Sequence, residues 1–156
     1  MSTISTFLWF DDAAEEAVEF YTGLLPRSRI LDRQVVPEGS PAPSTVVSLL
    51  FELGGQRFQA INAGPQFTFT EAISIVVTVT TQEELDRIWD ALAAGGEESR
   101  CGWVRDRWGL WWQVVPTVLP ELLGGGDSEA ASRAMQAMLS MGRLDIRALE
   151  EAYAGP

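Results

Sequence analysis

The chain has 156 residues, of which 46% are hydrophobic, and no stretch is long and apolar enough to predict a membrane span. It has 22 acidic and 11 basic residues, and the formal net charge of −11 disfavours nucleic acid as a partner. Histidine is absent, which removes the commonest general base near neutral pH and the commonest transition-metal ligand. With a single cysteine and no signal-peptide pattern, we expect a cytoplasmic protein with no membrane association.

Sequence patterns in the first half predict a strand, a helix and three more strands. The segment at 4–10, ISTFLWF, is rich in β-branched and aromatic residues. In DDAAEEAVEFYTGLL, at 11–25, the apolar residues recur at helical spacing, with Asp12 and Glu15 as the expected capping box. The next predicted strands lie at 28–36, 45–53 and 56–62. A loop at 37–44 separates the first two, and a tight turn at Gly54-Gly55 joins the last two.

The second half begins this order again after a break at GPQFTF. A strand is predicted at 72–79 and a helix at 81–96, with Thr81 and Glu84 as capping box. Short strands are expected in 97–105, and a stronger strand at 110–115. The tail at 127–153 has the spacing of two helices.

The two halves can be aligned, which indicates an internal duplication. The helical segment 15–25 aligns with 83–93 at an offset of 68, and 52–61 aligns with 106–115 at an offset of 54. The second alignment brings three pairs into register: Gly55 with Gly109, Phe58 with Trp112, and Gln59 with Gln113. We therefore expect two copies of one module.

Three segments, FLWFDDAAEEAVEFY, NAGPQFTFTEAIS and WGLWWQVVP, resemble the vicinal oxygen chelate (glyoxalase/bleomycin resistance/dioxygenase) superfamily. Within it they resemble the PhnB-like branch, often labelled 3-demethylubiquinone-9 3-methyltransferase. The resemblance implies an α+β fold of two βαβββ modules, about 3–63 and 71–116, whose curved mixed sheets surround a cavity. These modules would form a domain at 1–120, with a helical extension of the same domain at 121–156. It also implies a homodimer.

In metal-dependent members of this superfamily, the ligands come from the first and last strands of each module. The alignment places Thr6 and Ser74 at the first-strand positions and Gln59 and Gln113 at the last-strand positions. These neutral oxygens compensate poorly for the dehydration of a divalent cation, so we expect no metal ligands and no cofactor. The same four residues are instead candidate contacts for an organic ligand, although the glutamines could equally be ordinary hydrogen-bonded strand residues.

Two more residues are candidates for ligand contact. Strand alternation would place Trp111 beside Gln113 on the cavity face and Trp112 in the core. Trp111 could instead be buried against a dimer partner. Asn62 would lie near the rim, where together with Gln66 it could contact a ligand or simply support a turn.

The sequence has no cofactor-binding motif that supports the methyltransferase label. A nucleotide-type cofactor is usually held at a glycine-rich turn between a strand and a helix, whereas the glycines at 124–126 fall between helices. Asp106 is expected to fix the turn before Gly109. Cys101 would be a nucleophile only if nearby arginines lowered its pKa, and a packed or bystander thiol is the alternative.

Four functions remain open at this stage. The first is a protein that binds a small organic ligand in a metal-poor cavity. The second is a metal-independent or weakly metal-assisted enzyme, such as a lyase, an isomerase or the labelled methyltransferase, with Glu52 or Glu71 as a possible base. The third is sequestration of a cationic aromatic drug by indole faces on an acidic protein. The fourth is a structural or interaction role for the C-terminal helices, which carry Met135, Met138 and Met141.

Overall fold

The computed structural model describes residues 1–41 and 46–156, so positions 42–44 of the predicted loop and position 45 of the predicted strand lie outside the described residues. The chain divides into two compact units, Met1–Thr68 and Phe69–Pro156. The first unit contains the predicted strand, helix and three strands: β1 (Thr6–Phe10), α1 (Ala14–Leu24), β2 (Arg29–Val35), β3 (Val46–Leu53) and β4 (Gln56–Asn62).

The second unit repeats this order and then adds three helices. Its elements are β5 (Ile75–Val79), α2 (Gln82–Ala93), β6 (Glu97–Glu98), β7 (Trp103–Arg105), β8 (Trp111–Pro116), α3 (Val118–Gly124), α4 (Ser128–Leu139) and α5 (Ile146–Ala154). The predicted α+β class and the two helices of the tail are confirmed. The short helix α3 was not predicted. No helix in the described parts of the chain is long and apolar enough to span a membrane.

The two sheets have the same topology. The strand order is β1-β4-β3-β2 in the first and β5-β8-β7-β6 in the second. In each sheet the first strand of the module runs parallel to the last, while the remaining pairs are antiparallel. Both sheets are therefore mixed, and the repeated topology agrees with the duplication inferred from the sequence. We call the repeated strand-helix-strand parts the first and second modules.

Each module packs its helix against one face of its sheet. In the first, α1 buries Ala14, Ala17, Val18 and Tyr21, and the sheet contributes Phe51 and Phe58, whose stacked rings have centroids 5.4 Å apart. In the second, α2 buries Leu85, Ile88, Trp89 and Leu92 at helical spacing. Trp112 is fully buried on this side, so the prediction that it belongs to the core is confirmed. Full burial of each large side chain contributes about 1.5–3 kcal/mol.

The two module helices begin in different ways. The Thr81 half of the predicted capping box of α2 is confirmed, because the Thr81 side chain accepts a hydrogen bond from the Glu84 backbone N–H. The predicted capping box of Asp12 and Glu15 is wrong, because α1 begins at Ala14, after Ala13, without a side-chain cap from its own N-cap residue. Instead the Oδ1 atom of Asn62 accepts from the Ala14 N–H at 2.8 Å. A residue at the end of β4 therefore satisfies the first helical amide.

The C-terminal helices belong to the second unit. Between α4 and α5, Leu144 is fully buried, and a Cβ atom at Gly102 would lie 3.0 Å from its Cδ1 atom. The Gln82 side chain, at the start of α2, donates to the Leu144 carbonyl at 3.1 Å and accepts from the Ile146 N–H at 2.9 Å. The start of α5 is thus hydrogen-bonded directly to the start of α2. On α4, Met135 is exposed and Met138 is half-buried.

Candidate functional site

Each sheet has a second face, opposite the module helix, and we call it the open face. On the first sheet it carries Ser5, Phe7, Leu50, Glu52, Arg57 and Gln59. On the second it carries Ser74, Val76, Trp103, Arg105, Trp111 and Gln113. Four of the predicted site residues are on these faces: Gln59, Ser74, Trp111 and Gln113.

A serine–glutamine pair occurs on both open faces. The Nε2 atom of Gln59 donates to the Oγ atom of Ser5 at 2.8 Å, and the Nε2 atom of Gln113 donates to the Oγ atom of Ser74 at 2.8 Å. Gln59 lies opposite Phe7 on the parallel first strand, and Gln113 lies opposite Val76. The two pairs therefore occupy equivalent positions in the two modules.

The predicted equivalence of Thr6 with Ser74 is wrong by one residue. Since Phe7 is equivalent to Val76, the offset between β1 and β5 is 69, and the counterpart of Ser74 is Ser5. Thr6 lies opposite Phe58, which is buried on the side of α1, and so it points away from the open face. The cause is the connection from strand to helix, which spans residues 11–13 in the first module but only 80–81 in the second.

The open face of the first module combines apolar and ionic side chains. Gln59 lies between Phe7 on β1 and Leu50 on β3. Beside them, the Glu52 carboxylate pairs with the Arg29 guanidinium at 3.3 Å and with that of Arg57 at 3.8 Å. The predicted alternative base, Glu52, is thus held between two cations.

The open face of the second module is aromatic and cationic. Gln113 lies between Val76 on β5 and Trp103 on β7. The ring of Trp103 meets that of Trp111 edge-on, with centroids 6.4 Å apart. The guanidinium of Arg105 lies over Trp111, 6.0 Å from its ring centroid, and also pairs with the Glu97 carboxylate at 2.8 Å.

Equivalent positions around the two glutamines carry different side chains. Strand register matches Leu50 with Trp103, because each lies directly opposite the glutamine of its module. In the same way Arg57 matches Trp111, and Glu52 matches Arg105. The backbone arrangement and the Ser–Gln pair are common to both modules, while the surrounding chemistry differs.

Asn62 lies under the start of α1. It is 8% exposed, sits opposite Phe10, and its amide oxygen caps the helix as described above. In the neighbouring loop, the Gln66 amide donates to the Ala63 carbonyl oxygen at 2.9 Å when its nitrogen faces that oxygen, which fits the turn role, one of its two predicted alternatives. Trp111 is 8% exposed, so much of its indole is covered.

The residues at the metal-ligand positions do not fit a divalent cation. They offer two hydroxyls and two carboxamides, none of them charged, and in each pair the amide nitrogen faces the hydroxyl oxygen. Over residues 1–41 and 46–156, no group of three or more cysteine and acidic side chains is placed to hold an ion. The strand-to-helix connections of the described chain, at 11–13, 80–81 and 117, contain no glycine.

The predicted role of Asp106 in the turn is confirmed. The residue is 2% exposed, and one carboxylate oxygen, Oδ1, accepts from the backbone N–H groups of Trp108 and Leu110 at 2.9 and 3.0 Å. The other oxygen accepts from the Trp112 Nε1–H at 2.9 Å. Asp106 therefore anchors both the β7–β8 turn and a core tryptophan.

The sequence analysis missed Ser5, Trp103 and Arg105. Ser5 was missed because the offset of 68 between the two helices was also applied to the first strands. The connection from strand to helix is one residue longer in the first module, so the strands need a different offset. Alternation along 103–105 could have identified Trp103 and Arg105, because it places them together on the side opposite the apolar Val104.

The fold and the paired strand positions define a protein of the vicinal oxygen chelate superfamily. The family model described as 3-demethylubiquinone-9 3-methyltransferase matches residues 2–115. A PhnB protein of Bacillus cereus with the same methyltransferase description is 35% identical, and the match covers 74% of this chain and 100% of that one with a TM-score of 0.70. The chain therefore belongs to this PhnB-like family, as the sequence predicted.

More distant structures share the fold alone. Protein PA1353 of Pseudomonas aeruginosa is 22% identical over 74% of this chain and 98% of its own, with a TM-score of 0.58. The fosfomycin resistance protein FosX of Mesorhizobium loti is 11% identical over 73% of this chain and 90% of its own, with a TM-score of 0.53. No curated protein matches the chain. The family model ends before α3, so the C-terminal helices lie beyond the matched region.

Proposed function

We propose that the chain binds a small organic ligand on the open faces of its sheets and that the Ser–Gln pairs provide the polar contacts. The observation that carries this proposal is the recurrence of the same pair, at the same 2.8 Å separation, at equivalent positions of both modules. Side chains that contact only water would not need to form the same pair at both positions.

The chemistry of the pair suits an uncharged polar group of the ligand. A carboxamide both donates and accepts hydrogen bonds, and a serine hydroxyl can do the same. The bond within each pair orients the amide but does not use its oxygen, its second N–H or the hydroxyl proton. With apolar neighbours such as Phe7 and Trp103, each pair could orient a carbonyl, amide or hydroxyl group in a mostly apolar setting.

The proposal does not require a metal ion or a methyl donor. The donor set is neutral, and within the described part of the chain the strand-to-helix connections lack the glycines that a nucleotide-type cofactor usually needs. We therefore favour binding over methyl transfer. A cytoplasmic location stays a prediction from the composition.

A homodimer is part of the same proposal. The exposed apolar residues Ile4, Phe67 and Ile73 provide surface that a second copy could cover. Native mass spectrometry at micromolar protein should then show a mass of two chains, whereas a monomer at all concentrations would contradict the dimer.

Ligand binding can be tested by saturation-transfer NMR with a panel of small organic acids, amides, phenols and amines. We expect at least one binder that is retained in the presence of EDTA and lost when both Gln59 and Gln113 are changed to Ala. The matched control is Gln136→Ala, which removes the same carboxamide from the exposed surface of α4. A panel without binders, or binding unchanged in the double variant, would contradict the proposal.

A further inference from the structure

We propose that the open face of the second module binds a planar aromatic carboxylate, with its ring against Trp103 and its carboxylate on Arg105. This inference rests on the proposed ligand-binding function and names the ligand class for one of the two faces. It follows from the differences between modules that share one backbone arrangement.

The ring-binding surface comes from β5, β7 and β8. Val76, Gln113 and Trp103 form one row across these three strands, and neighbouring strands lie about 4.8 Å apart. Val76 is 54% exposed, and the Trp103 indole is partly exposed. At the position of Trp103 the first module has Leu50, which offers no flat π surface. The aromatic neighbour of the first module, Phe7, lies on the other side of the glutamine, at the position of Val76, so what distinguishes the second module is an indole on β7.

Arg105 provides the positive charge for this face. Arg105 pairs with Trp111 of β8, which is two residues from Gln113. Arg105 and Gln113 are therefore diagonal neighbours across the two strands, and residues in this relation are about 7–8 Å apart. One substituted ring can bridge this distance, with a polar substituent at Gln113 and a carboxylate at the guanidinium. A guanidinium binds a carboxylate through two parallel hydrogen bonds, which gives directional preference.

The ion pair with Glu97 leaves Arg105 available for exchange. The ion pair uses one terminal nitrogen of the guanidinium, 2.8 Å from a Glu97 carboxylate oxygen. Both side chains are largely in solvent, with 44% of the Arg105 side chain and 61% of the Glu97 side chain exposed. Exposed pairs of this kind are weak. A ligand carboxylate that is also held by its ring could replace Glu97, which would then turn to solvent.

A cationic ring is disfavoured at the same place. The Arg105 guanidinium already lies over the face of Trp111 and would repel a second cation. The negative net charge of the whole chain favours cations at long range, but over a few ångströms the nearest charge decides. Arg105 thus favours an anion on this face over the cationic drug considered from the sequence.

Isothermal titration with three ligands of one shape tests the charge preference: 2-naphthoate, 2-naphthamide and 2-naphthylmethylamine. We expect naphthoate to bind about fivefold to tenfold more tightly than naphthamide, as one additional charged hydrogen-bonded contact would give, and the amine to bind most weakly. Equal affinity for acid and amide, or tighter binding of the amine, would overturn the proposal.

Two variants with opposite expected effects test the role of Arg105. Arg105→Gln should remove the preference for naphthoate over naphthamide, whereas Glu97→Gln should strengthen naphthoate binding by removing a competitor. Arg147→Gln is the matched control, because it removes an exposed, ion-paired arginine from α5 of the same unit. Naphthoate affinity that is lowered equally by Arg105→Gln and Arg147→Gln would overturn the assignment to Arg105.

Trp103→Leu installs the side chain of the first module at the equivalent position. It should weaken naphthoate and naphthamide to the same extent, while a circular dichroism spectrum like that of the parent chain shows that the fold is kept. Unchanged binding of both would overturn the assignment of the ring site. If the naphthalene series fails while other panel compounds bind through the glutamines, this inference fails and the proposed function stands; a panel with no binders at all removes both.

Discussion

The two modules repeat one topology but hold their hairpins in different ways. In the first, β3 and β4 are joined by Gly54 and Gly55, whose φ angles of +58° and +89° suit a tight glycine turn. In the second, β7 and β8 are joined by a longer turn anchored on the buried carboxylate of Asp106. Gly109 in the second turn also has a positive φ, +91°, so both turns use glycine and the second adds a side-chain anchor.

The open faces differ in the same manner. The Ser–Gln pair is present in both, but the first module surrounds it with Leu50 and the Glu52–Arg57 pair, and the second with tryptophans and Arg105. The pair is the part of the open face that the two modules share, and the side chains around it are the part that differs. We therefore expect the modules to respond differently to equivalent substitutions.

The largest effect is expected at the turn of the second module. Asp106→Ala removes the acceptor of three hydrogen bonds and leaves buried N–H groups without an acceptor. The free energy of unfolding should therefore fall by about 3–5 kcal/mol. Urea unfolding monitored by tryptophan fluorescence measures this. The control, Asp145→Ala, removes an exposed helix cap and should cost about 1 kcal/mol. Equal losses for the two variants would show that Asp106 does not anchor the turn.

The connection between α4 and α5 contributes a core residue to the second unit. Leu144 is fully buried against the β7 region, so Leu144→Ala should lower the free energy of unfolding by about 2–4 kcal/mol. Leu139→Ala, which truncates an exposed leucine on α4, should change it by less than about 0.5 kcal/mol. A small effect at Leu144 would mean that the tail contributes little to this unit.

The smallest of the three effects concerns the starts of the module helices. Asn62→Ala removes a cap contributed from the sheet and should lower the free energy of unfolding by about 1–2 kcal/mol, while Thr81→Ala removes a local cap and should cost about 1 kcal/mol. Hydrogen exchange at the Ala14 amide gives a local readout. If this exchange stays as slow in Asn62→Ala as in the parent chain, the cap does not come from Asn62.

Most of the fold could be predicted from the sequence because its signals are local. Apolar spacing located α1 and α2, and paired glycines located the first hairpin. The Gln59–Gln113 match gave the equivalence of β4 and β8, because each glutamine follows a glycine by the same number of residues. The cap at Thr81 was predicted for the same reason, since all its atoms lie within one helical turn.

The site was predicted less completely because it depends on pairing between distant segments. The true partner of Gln59 is Ser5, 54 residues away, and only the register of β1 against β4 distinguishes it from Thr6. The cap from Asn62 to Ala14 is another distant contact, and a more obvious local candidate, Asp12, concealed it. The spacing of apolar residues also does not reveal that the strand-to-helix connection is one residue longer in the first module than in the second.

The central claim is that the Ser–Gln pair is a ligand contact, and the side-chain amide signals of the glutamines report on it most directly. In ¹H–¹⁵N spectra assigned with Gln→Ala variants, titration with 2-naphthoate should shift the Gln113 side-chain signals saturably and leave those of Gln136 unchanged. If naphthoate binds while the Gln113 signals stay in place, the account of the second open face is contradicted.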